Sequence, residues 1–129
     1  MHENIDVIYN IVPLLSTIGE ALEYTNQLLS QLQYEEALTL LEDVVVGVVS
    51  IASAIKPMQP ELSKNEIESL GGILALKMSQ VVGSYEMGRE ADLERQIGQA
   101  LIVAFENWRE EIERVLKAYI TAWKAPKRD

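Results

Sequence analysis

The chain has 129 residues, 48% of them apolar, and a net charge of −9 from 20 acidic against 11 basic side chains. That apolar share sustains one folded domain and excludes a disordered chain. The acidic balance argues against nucleic acid, whose phosphates call for clustered cations, and against an anionic membrane surface. The absence of cysteine excludes disulfides, thiolate metal ligands and thiol nucleophiles.

The charge is unevenly spread. Residues 1–55 hold eight acids and no Lys or Arg, and every base stands from Lys56 onward. The first residues, Met1-His2-Glu3-Asn4, lack the basic start of a secretory signal. The longest uncharged runs, residues 7–19 and 44–55, are shorter than the ~20 residues of a spanning helix. The expectation is a cytoplasmic protein with no membrane role, one domain over residues 1–125 and a frayed tail over 126–129.

The first helix is predicted over residues 4–32. Ile8, Ile11, Leu15, Ile18, Leu22, Thr25, Leu29 and Leu32 keep the 3-4 spacing that puts them on one face. Pro13 removes a backbone donor and crowds the preceding turn. Because the seam continues in register across it, a kink is expected; the alternative is a new helix starting at Pro13.

The second helix is predicted over 35–56, opened by Glu35 and Glu36, whose charges suit a helix N-terminus. Leu38, Leu41, Val45, Val48, Ala52 and Ile55 share one side, which Leu40, Val44, Val49 and Ile51 widen. Only Glu36, Thr39, Asp43, Gly47, Ser50 and Ala54 remain for water. A helix so apolar reads as the central one of a bundle. Its β-branched run at 44–49 would suit a strand, but the pattern outruns a strand's usual length of ~5–6 residues. The helix stops before Pro57, with Pro60 reinforcing a loop at 58–61.

The third helix is predicted over 64–87. Ser63-Lys64-Asn65-Glu66 has the spacing of a capping box, and Leu62 and Ile67 sit where a hydrophobic staple needs them. Ile67, Leu70, Leu74, Met78, Val81 and Tyr85 form its inner face, and Gly88 is the expected C-terminal cap. The fourth helix is predicted over 89–124, with Leu93, Ile97, Leu101, Phe105, Trp108, Ile112, Val115, Tyr119 and Trp123 inward. Arg109–Glu113 and Glu110–Arg114 are its expected i,i+4 ion pairs. Short connections between four long helices give an all-α, antiparallel up-down four-helix bundle.

Catalytic and metal chemistry find little footing. Diiron bundles need two Glu-x-x-His pairs, and the only histidine is His2. Glu20-Ala21-Leu22-Glu23 resembles the first half of the Glu-x-x-Glu…Glu-x-x-Asp metal motif of the all-helical nucleotide pyrophosphohydrolases. That resemblance would imply a metal-dependent hydrolase, yet the second half is missing: Leu40 stands three residues before Asp43, and Arg89 before Asp92. Glu106, Glu110 and Glu113 are interleaved with Arg109 and Arg114 and read as a solvated ion-pair face. No catalytic residue, metal or cofactor is expected, and the chain reads as non-enzymatic.

Surplus apolar surface is the more informative feature. Ile73, Leu76, Ile102 and Val103 point away from the inner faces, and two small-residue stripes, Gly47/Ser50/Ala54 and Gly72/Ala75/Ser79/Gly83, permit close helix approach. With Trp123 in the last turn, Gly47, Ser50, Ala54, Ile73, Leu76, Ile102 and Val103 form the candidate interaction surface, suited to an isologous homodimer or a partner's amphipathic helix. A small apolar-ligand carrier is a further alternative, and it would need a cavity near Trp108 and Trp123. In size, charge and helical architecture the chain resembles bacterial export chaperones and adaptors, flagellar ones included, which implies a protein-interaction module.

Overall fold

The computed structural model describes residues 2–124; Met1 and residues 125–129, including the expected frayed tail, lie outside the described residues. Helix α1 (His2–Ser30) and helix α2 (Tyr34–Ile55) form an antiparallel hairpin. A 3-10 segment (Lys56–Glu61) and a short connection lead to α3 (Ile67–Glu86). The fourth rod combines α4 (Glu90–Arg95), a π segment (Gln96–Leu101) and α5 (Ile102–Lys124). The result is the all-α up-down bundle that the periodicity predicts.

Every residue of the α1 seam up to Leu29 is buried, because its 3-4 spacing keeps one stripe facing the neighbours. Pro13 neither breaks α1 nor starts a new helix; the rod runs unbroken across it. Thr25 is the one buried polar side chain in the core set, and its hydroxyl donates to the Ala21 carbonyl at 2.8 Å. The buried residues of all four rods form a single cluster with Phe105 and Trp108 among its largest members. Along α5, Arg109 ties the rod to α1, donating to Ser16 Oγ at 3.0 Å and to Glu113 Oε1 at 3.1 Å. The expected Arg109–Glu113 pair therefore forms. Arg114 reaches Glu111 at 2.8 Å, not the expected Glu110.

Four local expectations are corrected. Helix α2 is not central: it packs on α1, while Val46, Val49 and Ala52 lie exposed. A helix apolar nearly all round offers periodicity no unique inner face, and the α1 contact decides it. Second, residues 56–61 wind into a 3-10 helix that buries Met58, so the expected loop contributes to the core.

Third, the Ser63–Glu66 capping box does not form, and α3 starts at Ile67. Its first donors are already satisfied: Ile67 N–H donates to Asn65 Oδ1 at 3.1 Å and Glu66 N–H to Glu111 Oε2 at 2.8 Å. Fourth, the last rod carries a π segment. Leu93, Ile97, Leu101 and Phe105 are spaced by fours, and each such step drifts about 40° around an α-helix of 3.6 residues per turn. The wider π turns keep all four buried.

Residues 4–30 and 34–61 are, by length and composition alone, long and apolar enough to cross a membrane. This revises the estimate from uncharged runs, since scattered acids do not prevent a helix from reaching that threshold. In the bundle these segments contribute Leu15, Leu22, Leu41 and Ile51 to the core.

Candidate functional site

Two surfaces of the bundle expose more apolar area than the core requires. The first belongs to α3 and α5, which pack side by side. Ile73 and Leu76 on α3 are 50% and 55% exposed, and Val103 on α5 is 51% exposed. Ile73 and Leu76 lie inside α3, and Val103 lies in the first turn of α5, directly after the π segment. Ile102, the fourth residue expected on this surface, is half-buried against the core.

The second surface is a cleft between α2 and α3. It encloses about 320 Å³ and is walled mainly by Val48, Val49 and Ala52 on one side and by Gly71, Ala75 and Met78 on the other. Trp108 forms its floor, and the 3-10 segment supplies Lys56 and Gln59 at one end. The close approach that opens it is set by Gly71: a Cβ there would lie 3.1 Å from Trp108 Nε1. Gln59 and Asn65 pair their side-chain amides in both directions, at 3.0 and 3.3 Å, and so hold the 3-10 segment against the start of α3.

The small-residue stripe of α2 faces inward in part. Gly47 is half-buried, and a Cβ there would lie 2.8 Å from Ile18 Cδ1, so α1 already uses that close approach. Ala54 is half-buried against the core. Ser50 is exposed, with its hydroxyl donating to the Val46 carbonyl at 2.8 Å. On α3, Gly72 is open, with no atom within 4 Å of a Cβ built there. Trp123 is 39% exposed near the end of α5 and does not reach the cleft. The sequence singled out Ile73, Leu76 and Val103 but missed Val46, Val49 and the α2 wall, because the uniform apolarity of α2 hid its open face.

Glu20 and Glu23 both lie exposed on α1, and no group of three or more metal-ligating side chains occurs among the described residues. Among the described residues one carboxylate is perturbed. The Arg114 guanidinium and then the Glu66 amide hold Glu111 below its ordinary range, because both donate to the charged form. Glu111 thus serves as an anchor for the N-terminus of α3.

Fold and surface together define the class: an all-α antiparallel bundle with exposed aliphatics on α3 and α5 and an open apolar side between α2 and α3. The chain belongs to the DUF8042 family, described as a domain of unknown function, whose model matches residues 6–111. Comparison with the curated proteins and with the solved structures gives no match.

Proposed function

We propose that the chain is a cytoplasmic, non-enzymatic protein-interaction module, adaptor-like or chaperone-like, that self-associates through the outer face of α3 and α5. The observation that carries this reading is the exposure of Ile73, Leu76 and Val103 on two adjoining rods. Half-exposed aliphatic side chains on packed helices are suited to burial against a second surface. The charge distribution supports the same face. Of the net −9, residues 1–55 contribute −8, from eight acids and no Lys or Arg, which leaves −1 for residues 56–129. An isologous contact through α3 and α5 keeps the two acidic hairpins away from each other.

Sedimentation equilibrium at several concentrations tests this reading. Wild type is expected to be a dimer, and Val103→Glu a monomer with unchanged helical circular dichroism. Burying an unpaired carboxylate on both sides of a two-fold contact weakens association by at least about tenfold. Val49→Glu, on the other side of α3, should leave the dimer intact. A wild-type monomer at every concentration, or a dimer indifferent to Val103→Glu, would overturn the proposal. The metal-hydrolase reading of Glu20 and Glu23 gains no geometric support, since both carboxylates are exposed and no third ligand joins them among the described residues.

A further inference from the structure

Buried tryptophans ordinarily give their indole N–H to an acceptor. Trp108 is 1% exposed; its Nε1–H makes none of the side-chain hydrogen bonds found among the described residues, and the atom is not one of the sealed polar atoms there, which are Asn26 Oδ1 and Gln96 Oε1. The Nε1 edge lies beneath Gly71 on the floor of the α2–α3 cleft, 3.1 Å from where a Cβ on that glycine would stand. A donor held in the core is therefore offered to whatever enters the cleft.

The remaining chemistry narrows the occupant. The lining is mainly apolar, with Ser53, Lys56, Gln59 and Glu68 as its polar members, so the body of the occupant is apolar. Among the described residues the charged lining residues are Lys56 and Glu68, which are opposite in sign, and the chain as a whole carries −9. That balance favours an uncharged molecule over an anion. The volume of about 320 Å³ lies at the small end of ligand pockets, which run to roughly 300–1,000 Å³.

We propose that the α2–α3 cleft binds a small, uncharged, apolar molecule carrying one hydrogen-bond acceptor, which the Trp108 indole N–H receives while α2 and α3 enclose the hydrocarbon. This site is separate from the α3–α5 face and stands whether or not the chain dimerises there.

The test uses two isosteric probes, 2-acetylnaphthalene and 2-isopropenylnaphthalene, titrated into the full ¹⁵N-labelled chain. Trp123→Phe assigns the Trp108 indole resonance. The ketone should move that resonance downfield and bind about 3–10-fold more tightly than the hydrocarbon, as one added neutral hydrogen bond implies. Ala75→Phe, at an exposed wall position, should abolish both titrations while leaving the unfolding temperature in place. Three results would overturn the proposal: a Trp108 resonance unmoved up to the solubility limit, equal affinity for the two probes, or binding that survives Ala75→Phe. A shift produced by raising the protein concentration alone would also overturn it, by seating a second copy in the cleft.

Discussion

Leu32 and Gly88 occupy the same position in two copies of one helix-ending motif. After α1, Gln33 N–H bonds the Leu28 carbonyl at 2.8 Å and Leu32 N–H the Leu29 carbonyl at 3.0 Å. After α3, Arg89 N–H bonds the Ser84 carbonyl at 2.8 Å and Gly88 N–H the Tyr85 carbonyl at 3.0 Å. Both are Schellman caps, whose C′ residue adopts a left-handed backbone; φ is +62° at Leu32 and +74° at Gly88. Glycine adopts that conformation freely, whereas a leucine Cβ crowds the next carbonyl. Leu32 is also 71% exposed, so its side chain returns little by packing.

Leu32→Gly should therefore stabilise the protein by about 1 kcal/mol, which urea unfolding would register as a higher midpoint at unchanged slope. Gly88→Ala should destabilise it by a similar ~1 kcal/mol. A lower midpoint for Leu32→Gly would show that the strain is relieved elsewhere. Gly72 gives the opposite contrast to Gly47. Gly72→Ala meets open space in mid-helix and should add about 0.5–1 kcal/mol. Gly47→Val drives a branched side chain into buried Ile18 and should remove about 1–3 kcal/mol. Gly88 was legible because glycine signals a helix end. Leu32 was not, since it prolongs the 3-4 rhythm of α1 and reads as one more seam residue.

Among the elements, the start of α3 shows how a tertiary contact replaces a local one. Ser63 and Glu66 have the right spacing for a capping box, but Asn65 and the Glu111 carboxylate of α5 take the first donors instead. A carboxylate at a helix N-terminus is favoured by the exposed amides and the helix dipole. Glu111→Ala should cost about 1 kcal/mol after allowance for solvent screening. Ser63→Ala should change stability by no more than about 0.5 kcal/mol.

Because the folded state lowers the Glu111 pKa, its contribution is fully present above the ordinary carboxylate range and is lost as pH falls through the depressed value. The gap between wild type and Glu111→Ala should therefore narrow on acidification, which thermal unfolding between pH 7 and pH 3 would measure. A gap that widened in acid would refute the assignment. The π segment was legible in principle from the run of fours at Leu93, Ile97, Leu101 and Phe105. It escapes a reading that treats spacings of three and four as interchangeable.

For the whole molecule, four amphipathic patterns joined by short connections leave few arrangements other than an antiparallel bundle, so the architecture was readable. The open side was not. Residues 44–55 are apolar in nearly every direction, and only the packing of α1 against Gly47 turns Val46, Val49 and Ala52 outward. The charge pattern, by contrast, passes directly from sequence to structure. Asp6, Glu20, Glu23, Glu35, Glu36, Glu42 and Asp43 are all exposed, and none forms an ion pair among the described residues.

Packed helix axes lie about 8–10 Å apart, so acids on α1 and α2 repel one another wherever the screening length exceeds that separation. Raising NaCl from about 0.01 M to about 0.1 M shortens that length from ~30 Å to ~10 Å. The protein should gain on the order of 1 kcal/mol across that range. Glu23→Lys with Glu42→Lys places one cation on each helix. That pair should raise stability at low salt and flatten the salt response. Thermal unfolding of both proteins over the salt series decides the matter. A wild-type midpoint that is flat or falls with salt would mean that the exposed acids are too well hydrated to feel one another. A response unchanged in the double variant would place the repulsion elsewhere than on the α1–α2 hairpin.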